Sequence, residues 1–226
     1  MDKKLDASYS TYPWGWHNKY VGRWMVEVPL SREKIGVFGH GCLLDIIIDL
    51  IGITGELFFP TQIECPCQHT LFERPVPLPP GIIREALDRQ WSLKSMADED
   101  FVPYCELYGL SHIYVNNPGG IVRALVPHAL CFRLESVMTG NNPVARLSVY
   151  TKCDAWLEQT IDGLDNSKVG LKNAAILTAV LADIEERLAG KIVELQTEFE
   201  NIEIEKYAVK NKHDRPNEPQ RHNDWF

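Results

Sequence analysis

The chain has 226 residues, 45% of them hydrophobic and 24% charged, with six tryptophans, eight tyrosines and eight phenylalanines. That is enough apolar and aromatic surface for a folded core, which excludes a wholly disordered chain. The net charge of −8 repels phosphate backbones and excludes non-specific nucleic-acid binding over the whole surface.

The first residues, Met1-Asp2-Lys3-Lys4-Leu5-Asp6, carry charges with no apolar stretch behind them, so no secretory signal is expected. The most apolar run, Cys42 to Ile53, is interrupted by Asp45 and Asp49. It is shorter than the roughly 20 apolar residues of a membrane span, and it reads as a core element. Six cysteines without an export signal point to free thiols and a cytoplasmic location.

In chain order, residues 1–60 read as an aromatic-rich α/β lobe. Tyr9, Tyr12, Trp14, Trp16, Tyr20 and Trp24 suit an aromatic core better than a stacking platform, because no basic groove accompanies them. Tyr20 to Val28 reads as a strand ended by Pro29. Ser31 is a candidate N-cap of a short helix, Ile35 to Phe38 a strand, and Gly41 to Leu50 a helix. Gly39-His40-Gly41 stands where a dinucleotide fold has its first glycines. The third would fall at Leu44, too large for the close helix–strand approach, so a nucleotide fold is not expected. Asp45 and Asp49 share one side of that helix as a narrow polar stripe.

Residues 61–81 read as a proline-rich, largely strandless connection. Its Arg74-Pro75-Val76-Pro77-Leu78-Pro79-Pro80 stretch resembles a basic residue before PxxP, which a stiff linker explains equally well. Residues 82–165 then supply a helix and an antiparallel sheet. The helix covers 82–97, with Ile83, Leu87, Trp91 and Leu93 on its buried side. Short strands follow at 106–110, 112–115, 121–126, 130–134 and 145–150, punctuated by Asn116-Asn117-Pro118-Gly119-Gly120 and Gly140-Asn141-Asn142-Pro143. Tight turns of this kind join antiparallel neighbours. Ala155 to Ile161 reads as a short helix.

From Asn166 or Ser167, residues 166–207 read as one long amphipathic helix, and 208–226 as a flexible tail. Leu177, Leu181, Ile184, Leu188, Ile192, Leu195, Phe199 and Ile202 are spaced by threes and fours, one continuous apolar stripe. Gly190 lies inside it, where a break is plausible at about 1 kcal/mol against alanine. The expected class is therefore α+β, an antiparallel sheet with packed helices and a long C-terminal amphipathic helix. Beyond Gly190 little chain remains to cover Leu188, Ile192, Leu195, Phe199 and Ile202, which predicts a second copy as partner.

Three functional readings follow. Glu194, Glu198, Glu200, Glu203 and Glu205 have no basic residue among them, so like charges repel unless a basic partner relieves them. That predicts a non-enzymatic binding protein of regulatory or inhibitor type. It would dock on a protein partner, as an acidic surface competing with nucleic acid on a basic nucleic-acid-handling complex, without cofactor and without binding nucleic acid itself. Second, Cys65-Pro66-Cys67-Gln68-His69, with Cys42 and His40 as further ligands, offers soft groups for a zinc-stabilised domain. The C-x-C spacing is not the usual structural one, and no second pair matches it. Cys105, Cys131 and Cys153 read as core filling. Third, a small cytoplasmic enzyme would need Asp45, Asp49, His40, His112 and His128 to meet in the fold. No phosphate-loop, G-x-S-x-G or H-E-x-x-H motif is present.

Overall fold

The structure, a computed structural model, describes residues 17–30, 40–65, 68–73, 76–97, 102–117, 119–139 and 142–212; within these the side chains of 68–73, 97, 117, 138, 139 and 142 are left undescribed. The expected Ser31 cap and the 35–38 strand lie outside the described residues. In chain order the elements are β1 (Gly22–Pro29), α1 (Gly41–Thr54), β2 (Phe58–Cys65), β3 (Gln68–Glu73), α2 (Pro80–Ala97), β4 (Tyr104–Asn117), β5 (Gly120–Pro127), β6 (Cys131–Thr139), β7 (Asn142–Thr151), α3 (Ser167–Arg187), β8 (Lys191–Gln196), β9 (Ile202–Glu205) and β10 (Ala208–Asn211).

Eight strands form one sheet in the order β3-β2-β4-β6-β7-β1-β8, with β5 also pairing β4. Every pairing is antiparallel. The α+β class and the antiparallel sheet thus stand as expected. β5 and β6 lie in series along one edge of the fourteen-residue β4, which they meet at Leu110↔Pro127 and Leu107↔Phe132. The chain turns between them at His128, whose N–H donates to the Gly109 carbonyl (2.8 Å).

Alternation along β4 sorts its residues. Cys105, Leu107, Ile113 and Val115 are buried and join Trp24, Val26, Phe132, Leu147 and Val149 of the neighbouring strands. Onto this face pack Leu43, Ile47 and Leu50 of α1, Ile83, Leu87 and Trp91 of α2, and Leu177, Leu181 and Ile184 of α3. Leu93, expected on the buried side of α2, is instead exposed. Residues 61–81, expected to be strandless, supply most of β2 and all of β3. Pro60 is tolerated in β2 because the ladder slips between Pro60 and Gln62, a bulge where no regular donor is required. Gly109 lies opposite, and a Cβ there would stand 2.2 Å from the Phe59 carbonyl oxygen. Pro80 opens α2, the helical position that proline suits. Ala155 to Ile161 makes turns rather than the expected helix.

The largest departure is at the C-terminal end. The helix expected to reach 207 stops at Arg187, and the chain continues as β8 and then the β9–β10 hairpin. Ala189 adopts φ 49°, and Gly190 passes so close to β1 that a Cβ would lie 2.7 Å from Val26 Cγ1. A larger residue there would have to displace the buried Val26 side chain. The apolar ridge is consequently covered from within: Leu188 and Ile202 are buried, Ile192 and Phe199 pack against the core, and Leu195 alone of the five is exposed. The physical ground for a partner helix is removed. Residues 208–211 of the expected tail are β10, and 213–226 lie outside the described residues.

The hairpin closes over Trp24, whose Nε1–H donates to the Glu205 carbonyl (3.0 Å). Its main anchor is Glu185 on α3, which accepts from Lys206 Nζ (2.7 Å), from the Tyr207 hydroxyl and from the Ile192 backbone N–H (3.1 Å). The Lys206 ammonium, helped by the Tyr207 hydroxyl, holds the Glu185 carboxyl down at about 2 against an ordinary 4.5. A lowered folded-state value contributes stability that is complete above about 4.5 and lost as pH falls toward 2. The Ile192 amide is therefore expected to lose exchange protection between pH 4.5 and 2, and Glu185→Gln to lack that pH dependence. Native-state hydrogen exchange across this range checks it.

Candidate functional site

The other face of the sheet carries the polar half of each alternation, and among the described residues no helix covers it. Because directly opposed residues share a face, the registers set out rows across the strands. One row runs Glu64, Glu106, Arg133, Ser148, Met25, Glu194; the next runs Tyr104, Glu135, Arg146, Glu27, Lys191. A third places Gln62 beside Tyr108, and Tyr150 beside Arg23 and Gln196. Beyond them His112, Tyr114 and Asn116 of β4 lie opposite Leu125, Arg123 and Ile121 of β5.

Glu106 is the hub. Its carboxylate accepts hydroxyls from Tyr104 (2.9 Å), Tyr108 and Tyr150 (3.2 Å), with Arg133 Nη1 at 3.8 Å. A carboxylate offers about four acceptor positions, and the three hydroxyls take most of them. Burial, reinforced by the adjacent carboxylate, pushes the Tyr104 and Tyr108 phenols above the usual tyrosine range. Burial does the same to Tyr150. All three remain protonated donors at neutral pH, and the node holds β4 and β7 in fixed relation. Arg133 Nη2 also bonds Glu135 (3.0 Å), and its guanidinium stacks over Tyr104 at 4.6 Å. Arg146 pairs with Glu27 (3.1 Å). The result is a half-buried face of tyrosines and arginines held by bonds along and across the strands.

The zinc reading rests on residues only partly described. Cys67 lies outside the described residues, and the side chain of His69 is not described. Cys65 and Cys42 are both buried thiols. Cys65 lies next to Cys105 across the β2–β4 ladder. Among the described residues no three His, Cys, Asp or Glu side chains converge. Cys105, Cys131 and Cys153 are buried in the core as expected, and burial raises each thiol well above its ordinary range.

The carboxylates and histidines of the enzyme reading are spread apart. Asp45, Asp49 and Cys42 line a cavity of about 190 Å³ with Val28, Pro29, Leu30 and Ile46, and Asp45 is paired with Arg84 at 2.9 Å. His40 is buried, 3.2 Å from Asp88 and edge-on to Trp91. His112 lies on the open face, its pKa lowered first by burial and then by Arg123. His128 stacks near Tyr108 at the β5–β6 break.

The five expected partner-binding glutamates occupy a strand, a connection and a hairpin rather than a helix. All five are exposed. The hairpin also folds cations back onto them: Lys210 binds Glu205, and Lys212 reaches the Glu200 carbonyl. Glu198 accepts the Tyr20 backbone N–H (2.6 Å). Among the described residues no ion pair engages Glu194, Glu200 or Glu203.

Sequence reasoning did not single out the Glu106 node. The signal was present as Tyr104-x-Glu106-x-Tyr108, three polar or aromatic residues at the period that puts them on one strand face. No helix of the described residues is long and apolar enough to cross a membrane. Compared with protein-family models, curated proteins and solved structures, the chain matches none.

Proposed function

We propose that this chain is a binding protein that docks on a partner protein through the open face of its sheet. The concentration of pre-oriented tyrosine and arginine on that face supports this reading. These residue types dominate the energetics of protein interfaces, because a rigid ring or a fixed guanidinium loses little entropy on contact. Here cross-strand bonds meet part of that ordering cost before any partner arrives. The acidic margin formed by Glu194, Glu200 and Glu203 at the β8 side adds long-range attraction toward a basic partner. Such an effect acts on association rate more than on final affinity.

The test compares tagged variants in quantitative affinity capture from the native host. Arg123→Glu with Leu125→Glu replaces two side chains of the open face, and Leu125 is 40% exposed. Glu85→Lys alters the outer side of α2. A partner retained by wild type and by Glu85→Lys, and reduced at least about tenfold by the open-face pair, is the expected result. Equal capture of the same proteins by all three rejects the reading. Glu194→Lys with Glu203→Lys is expected to slow association with that partner at low salt and to matter little above roughly 0.5 M salt, where charges are screened within a few ångströms. Surface plasmon resonance across ionic strength checks this.

A further inference from the structure

The arginines of the open face differ in how their charge is met. Arg133 and Arg146 bind carboxylates, and so does Arg84 on α2. Arg23 does not. Its Nη1 donates to Gln196 Oε1 (3.2 Å) and its Nη2 to Ser148 Oγ (3.1 Å), both neutral acceptors. Ser148 is 2% exposed, so one side of the guanidinium is anchored from inside the sheet. The fork is held in place while its charge is left uncompensated.

A second cation shares the corner. Lys152 Nζ stands 5.4 Å from the centre of the Tyr20 ring, and the Arg23 guanidinium carbon 5.6 Å from the same ring. Tyr20 is itself braced edge-on by Tyr150 at 5.3 Å. Lys19 is adjacent in the chain, over Phe199. Among the described residues no carboxylate pairs with Lys19, Arg23 or Lys152. Acids on neighbouring segments bond other groups: Glu198 the Tyr20 N–H, Asp154 His17 (3.2 Å) and the Ile161 N–H (2.9 Å), and Glu106 the Tyr150 hydroxyl.

We infer that the corner formed by Arg23, Lys152 and Tyr20 is a binding site for a phosphoryl group. A pre-oriented guanidinium presents parallel donors that match two oxygens of an oxyanion. The neighbouring ammonium of Lys152 favours a doubly charged phosphoryl group over a singly charged carboxylate. Ser148 and Gln196 are positioning residues, fixing Arg23 without neutralising it. This inference stands apart from the docking reading, since a free phosphate needs no partner.

The experiment is a titration of the full chain at pH 7.5, followed by the backbone amide resonances of residues 20–23 and 196–198. The probes are inorganic phosphate, a phosphoserine hexapeptide and its unphosphorylated form, with sodium chloride at matched ionic strength as the control. Saturable shifts with phosphate, absent with chloride, support a site for free phosphate. Saturation by the phosphopeptide alone supports the same site serving a phosphorylated chain. In either case Arg23→Gln and Lys152→Gln each weaken the response about tenfold or more, whereas Arg84→Gln on α2 leaves it unchanged. A response to neither probe, or one that survives both substitutions, overturns the inference. Thermal unfolding of each variant without ligand separates lost binding from lost folding.

Discussion

Gly170→Ala is expected to destabilise the protein by about 3 kcal/mol or more. Gly170 lies in the first turn of α3, where its N–H donates to the Asn166 carbonyl (2.7 Å). A Cβ at that position would stand 2.0 Å from the Leu157 carbonyl oxygen and 2.4 Å from its carbon. The obstacle is backbone, and it cannot withdraw freely, because the same carbonyl accepts the Asn166 side-chain amide (2.8 Å). The helix must therefore shift away from the 155–160 segment and open the core around Leu157 and Val169, both fully buried. At a few degrees per kcal/mol for a chain of this size, the midpoint should fall by roughly 10 °C. Gly52→Ala gives the opposite sign. Gly52 lies within α1 with nothing near the added methyl, so alanine should stabilise by about 0.5–1 kcal/mol through backbone entropy. Thermal unfolding of the two variants side by side checks both. Equal midpoints would mean that α3 does not approach Leu157 this closely.

The close pass at Gly170 has no signature in the chain, and that kind of information separates what the sequence reveals from what it hides. The sheet between Tyr104 and Thr151 is legible because two hairpins are marked by turn residues and the strands alternate. α1 and α2 are legible from their apolar spacing. The end of α3 is not, and the reason is a bulge. Ile192 pairs with Val26 and Leu195 with Trp24, so both fall on the same side of β8 although they stand three apart and not two; Ile192 packs against the core, while Leu195 on the same side is exposed. Val193 is the extra residue, and its insertion turns strand alternation into a helical interval. A spacing of three continues the rhythm of Leu177, Leu181 and Ile184 across the point where the helix has already ended. The same bulge, with Glu185 on the Ile192 N–H and charged Lys191 and Glu194, blunts the β8 edge against pairing with another chain. The candidate site was hidden for a different cause. The composition of β4 shows its alternation and two of the Glu106 partners, Tyr104 and Tyr108, but Arg133 and Tyr150 come from β6 and β7, and registers across a sheet are not written in any one strand.

Asn173→Ala should cost about as much as Gly170→Ala, by a different route. Past Ser111, opposite the first residue of β2, β4 continues to Asn117 with one edge open to α3. Asn173 is fully buried there, and its amide takes the place of a neighbouring strand. Oδ1 accepts the Tyr114 N–H (2.8 Å), while Nδ2 donates to the Tyr114 carbonyl and to the Ala155 carbonyl (both 3.0 Å). Alanine leaves one donor and two acceptors without partners in a site closed to water. Each buried orphan costs about 1–3 kcal/mol, so a loss of roughly 4 kcal/mol is expected. Asn173→Asp should do no better, since it keeps the acceptor but sets a carboxylate against two carbonyl oxygens. Asn211 provides the control. It makes a two-bond clamp on Gln159 through 2.9 and 2.8 Å contacts that are exposed to solvent. Water replaces those bonds when the side chain is cut back, so Asn211→Ala should cost only about 1 kcal/mol. Asn173 carries one bond more than Asn211, worth about 1 kcal/mol, so a several-fold difference in cost is mostly the effect of burial. Denaturant unfolding of the three variants measures it, and amide exchange at Tyr114 reports whether the β4 edge has opened. If Asn173→Ala and Asn211→Ala prove equally mild, water reaches the Tyr114 edge, and the contact between α3 and the sheet is looser than these distances describe.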